Sequence, residues 1–428
     1  MRISILAIGS EGDVRPVAAV GAGLARAGHA VTLATLGAFR ELARSNGLEF
    51  SPVDIDPFAF IRGEIGQAWM DSMDNPVRLL IGVSQAAREL LERLNNDALA
   101  ACRGCEALLY NLPLSISGQT IAHALGVPGI PASVAPFHPT RDFPSILTPS
   151  LPIQWGIANR LSGFAVIQIL WLMFRSHMNR WRRAQPALSR LPVRHPLGAM
   201  RRERIPWLYG FSPSVIPTPP DWPETAVICG YWFTPMSPEW KPPQGLVDFL
   251  SAGPAPIYVG FGSMVGADPE QTVSVIREAI RRSGQRAVIA SGWGGMRHAH
   301  LPDTMFAVEH VPHEWLFPRV AAAVHHGGAG TTAATLRAGI PSVVVPYFYD
   351  QFFWGQRLFS LGVAPRPIPN KKLTAADLAE AIRQVLGARD VRERCGALAA
   401  KIGAEDGIGT AVSAVEGYLR STYQPTIR

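Results

Sequence analysis

The sequence predicts an α/β fold made of two doubly wound, Rossmann-like domains that face each other across a cleft. Three observations predict it. Strand and helix signals alternate from Ile3 onward. The alternation stops at a proline-rich stretch and then restarts. The second series contains an apolar strand that turns through glycines into a helix. Short, continuous apolar runs suit strands of a parallel sheet buried on both faces, and the amphipathic runs between them supply crossover helices. With 428 residues, 47% of them hydrophobic, the chain can build two cores.

In the first half, Ile3 to Ile8 is a buried strand, and Pro16 to Ala27 is a helix with its proline in the first turn. Gly28-His29 stops that helix, and Ala30 to Ala34 is the second strand. Ala38 to Ser45 is a helix closed by Asn46-Gly47. A long amphipathic helix, Pro76 to Ala101, leads to strand Ala107 to Tyr110. Helix Ile116 to Leu125 and strand Val127 to Ala132 follow. Phe137 to Pro152 has no period and is rich in Pro, Ser and Thr, so it is a long loop, a kind of segment that often carries function. Ile153 to Arg183 is strongly apolar and aromatic, and Ile205 to Phe211 closes this half as its last strand.

Five prolines in Pro213 to Pro223 and four in Pro235 to Pro243 mark a linker. The expected division is a first domain over 1–215, a linker over 216–243, a second domain over 244–405 and a terminal helix and tail over 406–428. In the second domain, strands are expected at Ile257 to Phe261, Ala287 to Ala290, Met305 to Val308, Ala321 to Val324 and Ser342 to Val345. Helices are expected at Pro269 to Arg282, Ala333 to Ala338, Phe352 to Leu361, Ala375 to Leu386, Val391 to Ile402 and Gly409 to Tyr418.

The formal charge is +7, and the basic residues are four lysines and 36 arginines. Such a balance suits phosphorylated ligands or an anionic membrane. No nucleic-acid-binding motif accompanies it. Cys102 and Cys105 form a C-x-x-C without a second pair at zinc spacing, so the four cysteines are expected as structural thiols in a reducing cytoplasm. The longest apolar stretch, Leu161 to Phe174, falls short of the roughly 20 residues that span a bilayer, so no transmembrane helix is expected. Between Arg175 and Arg204 the only acid is Glu203. An apolar stripe beside a basic run is also how a protein rests on a membrane, and peripheral contact with the inner face is the corresponding expectation.

His325-His326-Gly327-Gly328-Ala329-Gly330-Thr331-Thr332 joins a strand to a helix. Glycines let the backbone turn sharply and approach a ligand. The helix start offers free N–H groups and a positive dipole end, which suits phosphate. Gly9-Ser10-Glu11-Gly12-Asp13 follows the first strand, but it is not G-x-G-x-x-G, and Ala34-Thr35-Leu36 lacks an acid for an NAD ribose. Asp13 at the cleft mouth suits a general base; the same residue type also caps helices.

A run of motifs then carries a resemblance over nearly the whole chain. Ser291-Gly292-Trp293-Gly294-Gly295, Val311-Pro312-His313, Leu316-Phe317-Pro318-Arg319, the turn at His325 to Thr332, Arg337-Ala338-Gly339-Ile340-Pro341, Pro346 and Asp350-Gln351 occur in order. Together they resemble the donor-binding signature of the GT-B nucleotide-sugar glycosyltransferases. They are most similar to the sterol glucosyltransferase branch, which includes bacterial enzymes acting on antibiotics and glycolipids. Gly9-Ser10-x-Gly12-Asp13, Gly28-His29-x-Val31-Thr32, Thr140-Arg141-x-Phe143-Pro144 and Phe261-Gly262-Ser263-Met264 resemble that branch too.

The resemblance implies roles. Gly328, Ala329, Gly330 and Thr331 with His326 would hold the diphosphate, with Ser263, Ser10 and Gly12 contributing from facing loops. Trp293, Val311 and His313 would form the base-binding wall, and Asp350 and Gln351 would bind the sugar hydroxyls. Asp13 would take the proton from an acceptor hydroxyl. Plant members place a glutamate after the phosphate turn for the ribose, where this chain has Ala333-Ala334-Thr335, and they use a histidine as base, absent from the first loop here. The implied activity is an inverting, metal-independent transfer of a hexose, glucose from UDP-glucose, to a lipophilic alcohol such as a sterol, terpenoid or polyketide. The nucleotide sugar acts as co-substrate, and no cofactor is needed. Two alternatives remain: a nucleotide-sugar epimerase, and a catalytically inactive lipid-binding relative.

Overall fold

The computed structural model describes residues 1–54, 90–146, 155–185, 188–237, 239–262, 269–290, 301–348 and 350–423. Within them lie two fully parallel sheets. The first has seven strands in the order β3-β2-β1-β4-β5-β6-β7: β1 Arg2–Leu6, β2 Ala30–Thr35, β3 Glu49–Pro52, β4 Ala107–Asn111, β5 Gly129–Ser133, β6 Trp207–Tyr209 and β7 Ala226–Ile228. The second has five in the order β10-β9-β8-β11-β12: β8 Ile257–Gly260, β9 Ala287–Ala290, β10 Met305–Val308, β11 Ala322–His325 and β12 Ser342–Val344. All strands of β4, β8 and β11 are buried, as their apolar runs require.

The helices of the first domain are α1 Glu11–Arg26, α2 Arg40–Ser45, α3 Ser115–Leu125, α4 Gly156–Arg183 and α5 Leu197–Arg202, with residues 90–101 also helical. Those of the second are α6 Gln244–Ser251, α7 Pro269–Ser283, α8 His313–Leu316, α9 Ala329–Ala338, α10 Asp350–Ser360, α11 Ala375–Gly387 and α12 Arg389–Gly403; the chain then closes with α13 Gly407–Tyr423. Of the expected helix Pro76 to Ala101, residues 76–89 lie outside the described residues, as does 147–152 of the long loop.

Three expectations are corrected. First, α1 begins at Glu11, so Pro16 lies inside the helix rather than in its first turn. Second, the stretch expected as a linker contains β7, which pairs with β6 and extends the first sheet to Ile228. The prolines brace a loop instead of releasing a domain. Asp221 accepts from Thr140 Oγ1 at 2.7 Å and from Arg141 N at 3.1 Å, and Trp222 Nε1 donates to His138 O at 3.2 Å. The second domain returns to the first at its end: Ala411, Val415 and Leu419 of α13 share a core with Val17, Val20 and Leu24 of α1.

Third, α4 is 28 residues long and contains an 18-residue window of mean hydropathy 1.5, of which 22% is buried. Only the length is corrected: the helix is twice as long as the uninterrupted apolar run and passes for a membrane span by length and composition only. The run underestimates the helix because the face packed on the protein is partly polar. Asn159 Nδ2 donates to Arg141 O at 3.2 Å, and Trp171 Nε1 donates to Pro192 O at 3.0 Å.

Each sheet reverses strand order once, between β1 and β4 and between β8 and β11. In open parallel sheets ligands sit at the carboxyl ends of strands at such a reversal. The turns after β1, β8 and β11 are those of Gly9 to Asp13, Phe261-Gly262 and His325 to Gly330.

Candidate active site

The first wall is built at the end of β1. Asn111, buried at the end of β4, donates from Nδ2 to Ile8 O at 2.8 Å and accepts from Ile8 N at 3.4 Å, which fixes the exit of the strand. Gly9 follows with φ +135°, and a Cβ there would lie 2.4 Å from Asp13 Oδ2. Only glycine lets the carboxylate fold back over the turn. Asp13 Oδ2 accepts from Ser10 N and from Ser10 Oγ, both at 2.8 Å. Ser10, expected beside the donor, thus has its amide and hydroxyl on Asp13. Burial raises the Asp13 carboxyl above its ordinary range, and the two Ser10 bonds oppose that rise.

The second wall is the turn after β11. His325 is fully buried in the strand, and its Nδ1 accepts from Gly327 N at 3.1 Å. Gly327 has φ +86°, and a Cβ there would meet Gln351 O at 2.8 Å. His326 covers the start of α9: a Cβ on Gly328 would lie 2.3 Å from its Nε2, and one on Gly262 would lie 3.2 Å from its Cε1. The first bond of α9 runs from Thr332 N to Gly328 O at 2.9 Å. The amides of Ala329, Gly330 and Thr331 precede it and have no acceptor within the helix, as at any helix start. Burial lowers the pKa of His326 to about 4 and holds that of His325 well below its ordinary value. Both rings are neutral near pH 7, so positive potential at this turn comes from the helix dipole and not from imidazolium.

His313 opens α8. It stacks on Phe317 with ring centroids 4.3 Å apart, and its Nε2 lies 3.4 Å from Tyr258 Oη. Burial also brings it to about 4. Val311, just before it, packs partly buried against the core formed by Tyr258, Leu316 and Phe317. Asp350 opens α10. Gln351 is buried, and its Oε1 accepts from Tyr347 N at 2.8 Å and Phe348 N at 3.4 Å, so its carbonyl braces the turn that presents Asp350. Ser263 and Trp293 lie outside the described residues.

The two walls meet. A Cβ on Gly330 would lie 3.8 Å from Gly12 Cα, so the starts of α1 and α9 approach each other at two glycines. Burial and then the charge of Asp13 raise Asp350 to about 7. The fields of Glu11 and Arg15 reach His313. Asp13, Asp350, His313, His326 and the amides of α9 therefore line one cleft with two helix N-termini pointing into it. Phe143 of the long loop joins the same junction, 5.2 Å from Phe353. Sequence reasoning missed Asn111, Asp221 and the pair His138 Nδ1–Tyr209 Oη, 2.6 Å apart. Their partners lie 71 to 103 residues away, so no local spacing announces them.

The raised pKa of Asp350 has a measurable consequence. Its ordinary value is 3.8 and its folded value about 7. Between them the folded chain holds a proton that the unfolded chain has lost. The stability that Asp350 contributes is therefore expected to fall as pH rises from about 4 to about 7, while the buried neutral rings of His313 and His326, with pKa values of about 4, contribute in the opposite sense over the same range. Thermal melts of the ligand-free protein and of Asp350→Asn across this range isolate the carboxyl, and the variant should gain stability relative to wild type as pH rises from about 4 to about 7. An unchanged slope in the variant would place the titration elsewhere.

The parallel sheets, their two reversal points and the facing helix starts define the GT-B plan of glycosyltransferases. Solved structures agree on the fold. The glycosyltransferase SsfS6 from Streptomyces sp. SF2575 matches with a TM-score of 0.63 and 18% identity, over 97% of this chain and 99% of that one, and it has also been solved complexed with thymidine diphosphate. Residues 3–144 match the model of the glycosyltransferase family 28 N-terminal domain, and residues 288–412 match that of the erythromycin biosynthesis protein CIII-like C-terminal domain. Sterol 3-beta-glucosyltransferase UGT80B1 of Arabidopsis thaliana is 34% identical over 98% of this chain and 68% of its own length. A sterol 3-beta-glucosyltransferase of Neosartorya fischeri is 34% identical over 97% of this chain, which spans only 29% of that longer protein. The chain belongs to the sterol glucosyltransferase-like family of GT-B glycosyltransferases.

Proposed function

We propose that the chain is an inverting O-glycosyltransferase that moves glucose from UDP-glucose to the hydroxyl of a sterol-like, lipophilic acceptor. The observation that carries this reading is the apposition of Asp13 with the amide-bearing start of α9 across one cleft. Asp13 takes the acceptor hydroxyl proton, and the oxygen attacks the anomeric carbon. The bond from that carbon to the diphosphate breaks on the opposite face, so configuration inverts and UDP leaves. The amides of Ala329, Gly330 and Thr331, with the dipole of α9 and a hydrogen bond from neutral His326, meet the charge that develops on the departing phosphate. Ser263 adds a hydroxyl, Trp293 with Val311 and His313 receives the base, and Asp350 with Gln351 orients the sugar. Catalysis in this scheme rests on fixed dipoles and on holding both reactants together, and calls for no metal.

The test is release of UDP from UDP-glucose, with TDP-glucose in parallel, against a panel of sterols and other lipophilic alcohols. Release that requires an acceptor and yields a glucoside supports transfer. Conversion of the sugar without an acceptor would instead make the chain an epimerase. UDP binding with no turnover on any acceptor would make it an inactive relative.

A further inference from the structure

Among the described residues, seven of the nine exposed large hydrophobic side chains lie on α4 and the strap beside it. Trp155, Ile157, Leu161, Phe164, Ile169 and Leu172 are between 45% and 80% exposed and recur at helical spacing on one face. Val193 extends the stripe from the strap, which is bound along the helix: Gln168 Nε2 donates to Val193 O at 2.8 Å, and Arg175 Nε donates to Leu191 O at 3.0 Å. A contiguous apolar stripe of this kind marks an interaction surface, whereas single exposed leucines do not.

The rim is basic. Residues 155–204 contain ten arginines and one acid, Glu203. Arg180, Arg183, Arg190 and Arg194 are exposed, at the carboxyl end of α4 and on the strap. Two copies packed face to face would set one arginine rim against another, which argues against self-association. The opposite face of α4 is buried against the protein at Asn159, Gly163, Ile167 and Trp171. The helix is therefore positioned to lie along a surface rather than across a membrane. An aromatic and aliphatic face with arginines at its border matches a helix resting in the plane of a bilayer.

We propose that the exposed face of α4 docks the protein on an anionic lipid bilayer, with Trp155, Leu161 and Phe164 entering the acyl boundary and the arginine rim meeting lipid phosphates. The inner face of the same helix packs on the long loop, where a Cβ on Gly163 would lie 3.0 Å from Pro139 Cβ. Docking would thus bring the membrane to within one helix width of the loop that faces the cleft. The surface stands independently of the sugar-transfer reading, because its test measures binding and not turnover.

The experiment is co-sedimentation of the full chain with vesicles of phosphatidylcholine and phosphatidylglycerol, and with phosphatidylcholine alone. Wild type is expected to bind the anionic vesicles at least about tenfold more tightly than the neutral ones. Leu161→Glu/Phe164→Glu is expected to lose about tenfold or more of that binding, while its melting temperature, UDP binding and monomeric mass by light scattering stay as in wild type. Arg190→Glu/Arg194→Glu, which leaves the apolar face intact, should weaken binding to anionic vesicles only. Wild type that fails to sediment, or a Leu161/Phe164 variant that sediments like wild type, overturns the proposal. So does an oligomer of wild type that the variant dissociates, since the face would then belong to a second copy.

Discussion

Asp13→Asn is expected to slow glycosyl transfer by about 10²- to 10⁴-fold, the usual contribution of a positioned general base, with UDP affinity unchanged. Asparagine keeps the size of the side chain and can still accept from Ser10 N and Ser10 Oγ, which hold Asp13 Oδ2 at 2.8 Å. What it loses is the ability to take a proton. The competing role for Asp13 is structural, as the acidic residue in the first turn of α1. Loss of such a helix-start contact costs about 0.5–2 kcal/mol of stability, and asparagine is nearly as good there as aspartate. The rate loss expected of a base corresponds to about 3–5 kcal/mol in the transition state and leaves the melt unaffected. The two roles therefore separate by rate: a slow variant with an unchanged melt identifies a base, and a variant with full rate identifies a helix-start residue that asparagine replaces.

The same substitution carries a second readout. The charge of Asp13 is one cause of the raised pKa of Asp350, after burial. Removing that charge should move the titration of Asp350 downward but leave it above 3.8, because burial remains. A pH series of melts on Asp13→Asn, set against the same series on Asp13→Asn/Asp350→Asn, would show the Asp350 contribution lost over a lower, narrower window than in wild type. No such shift would mean that the two carboxylates do not face each other across the cleft.

The strands that were legible in the sequence are those buried on both faces. β1, β4, β8 and β11 are predominantly apolar because helices cover both sides of the sheet. β3 and β7, the edge strands of the first sheet, escaped notice. β3, Glu-Phe-Ser-Pro, has no fully buried residue, and β7 is three residues long and follows the prolines that suggested a linker. The helix α4 misleads in another way. Its exposed positions include Ile157, Leu161, Phe164, Ile169 and Leu172, and its buried ones include Asn159, Asn179 and Arg182 beside Ile167, Trp171 and Met178. The usual rule that apolar means inside does not separate the two faces there. In the site, the glycine turns were readable because close approach and positive φ select glycine locally. The supports at Asn111, Asp221 and Gln351 were not, because amides and acids occur everywhere and only the fold shows what they hold.

The turn itself gives the sharpest steric prediction. Gly328 has φ −62° and ψ 145°, a conformation any residue adopts, so alanine costs nothing in backbone strain there. Its Cβ would nevertheless lie 2.3 Å from His326 Nε2. The ring cannot retreat freely, because Gly262 lies close on another side, with a Cβ position 3.2 Å from His326 Cε1. Gly328→Ala must therefore displace either the imidazole or the start of α9, and each is a proposed contact for the diphosphate. Losing one or two charge-assisted hydrogen bonds should weaken UDP binding by about 10- to 100-fold. Gly284→Ala is the control: its φ is +67° and nothing lies within 4 Å of its Cβ position, so it should lower stability slightly and leave UDP binding intact. A double-mutant cycle assigns the cause. If the ring is what the new methyl displaces, Gly328→Ala adds nothing once His326→Ala is in place. If the helix start moves instead, the two losses add. Isothermal titration of UDP against the four proteins decides between them, and unchanged affinity in Gly328→Ala would remove the diphosphate from this turn altogether.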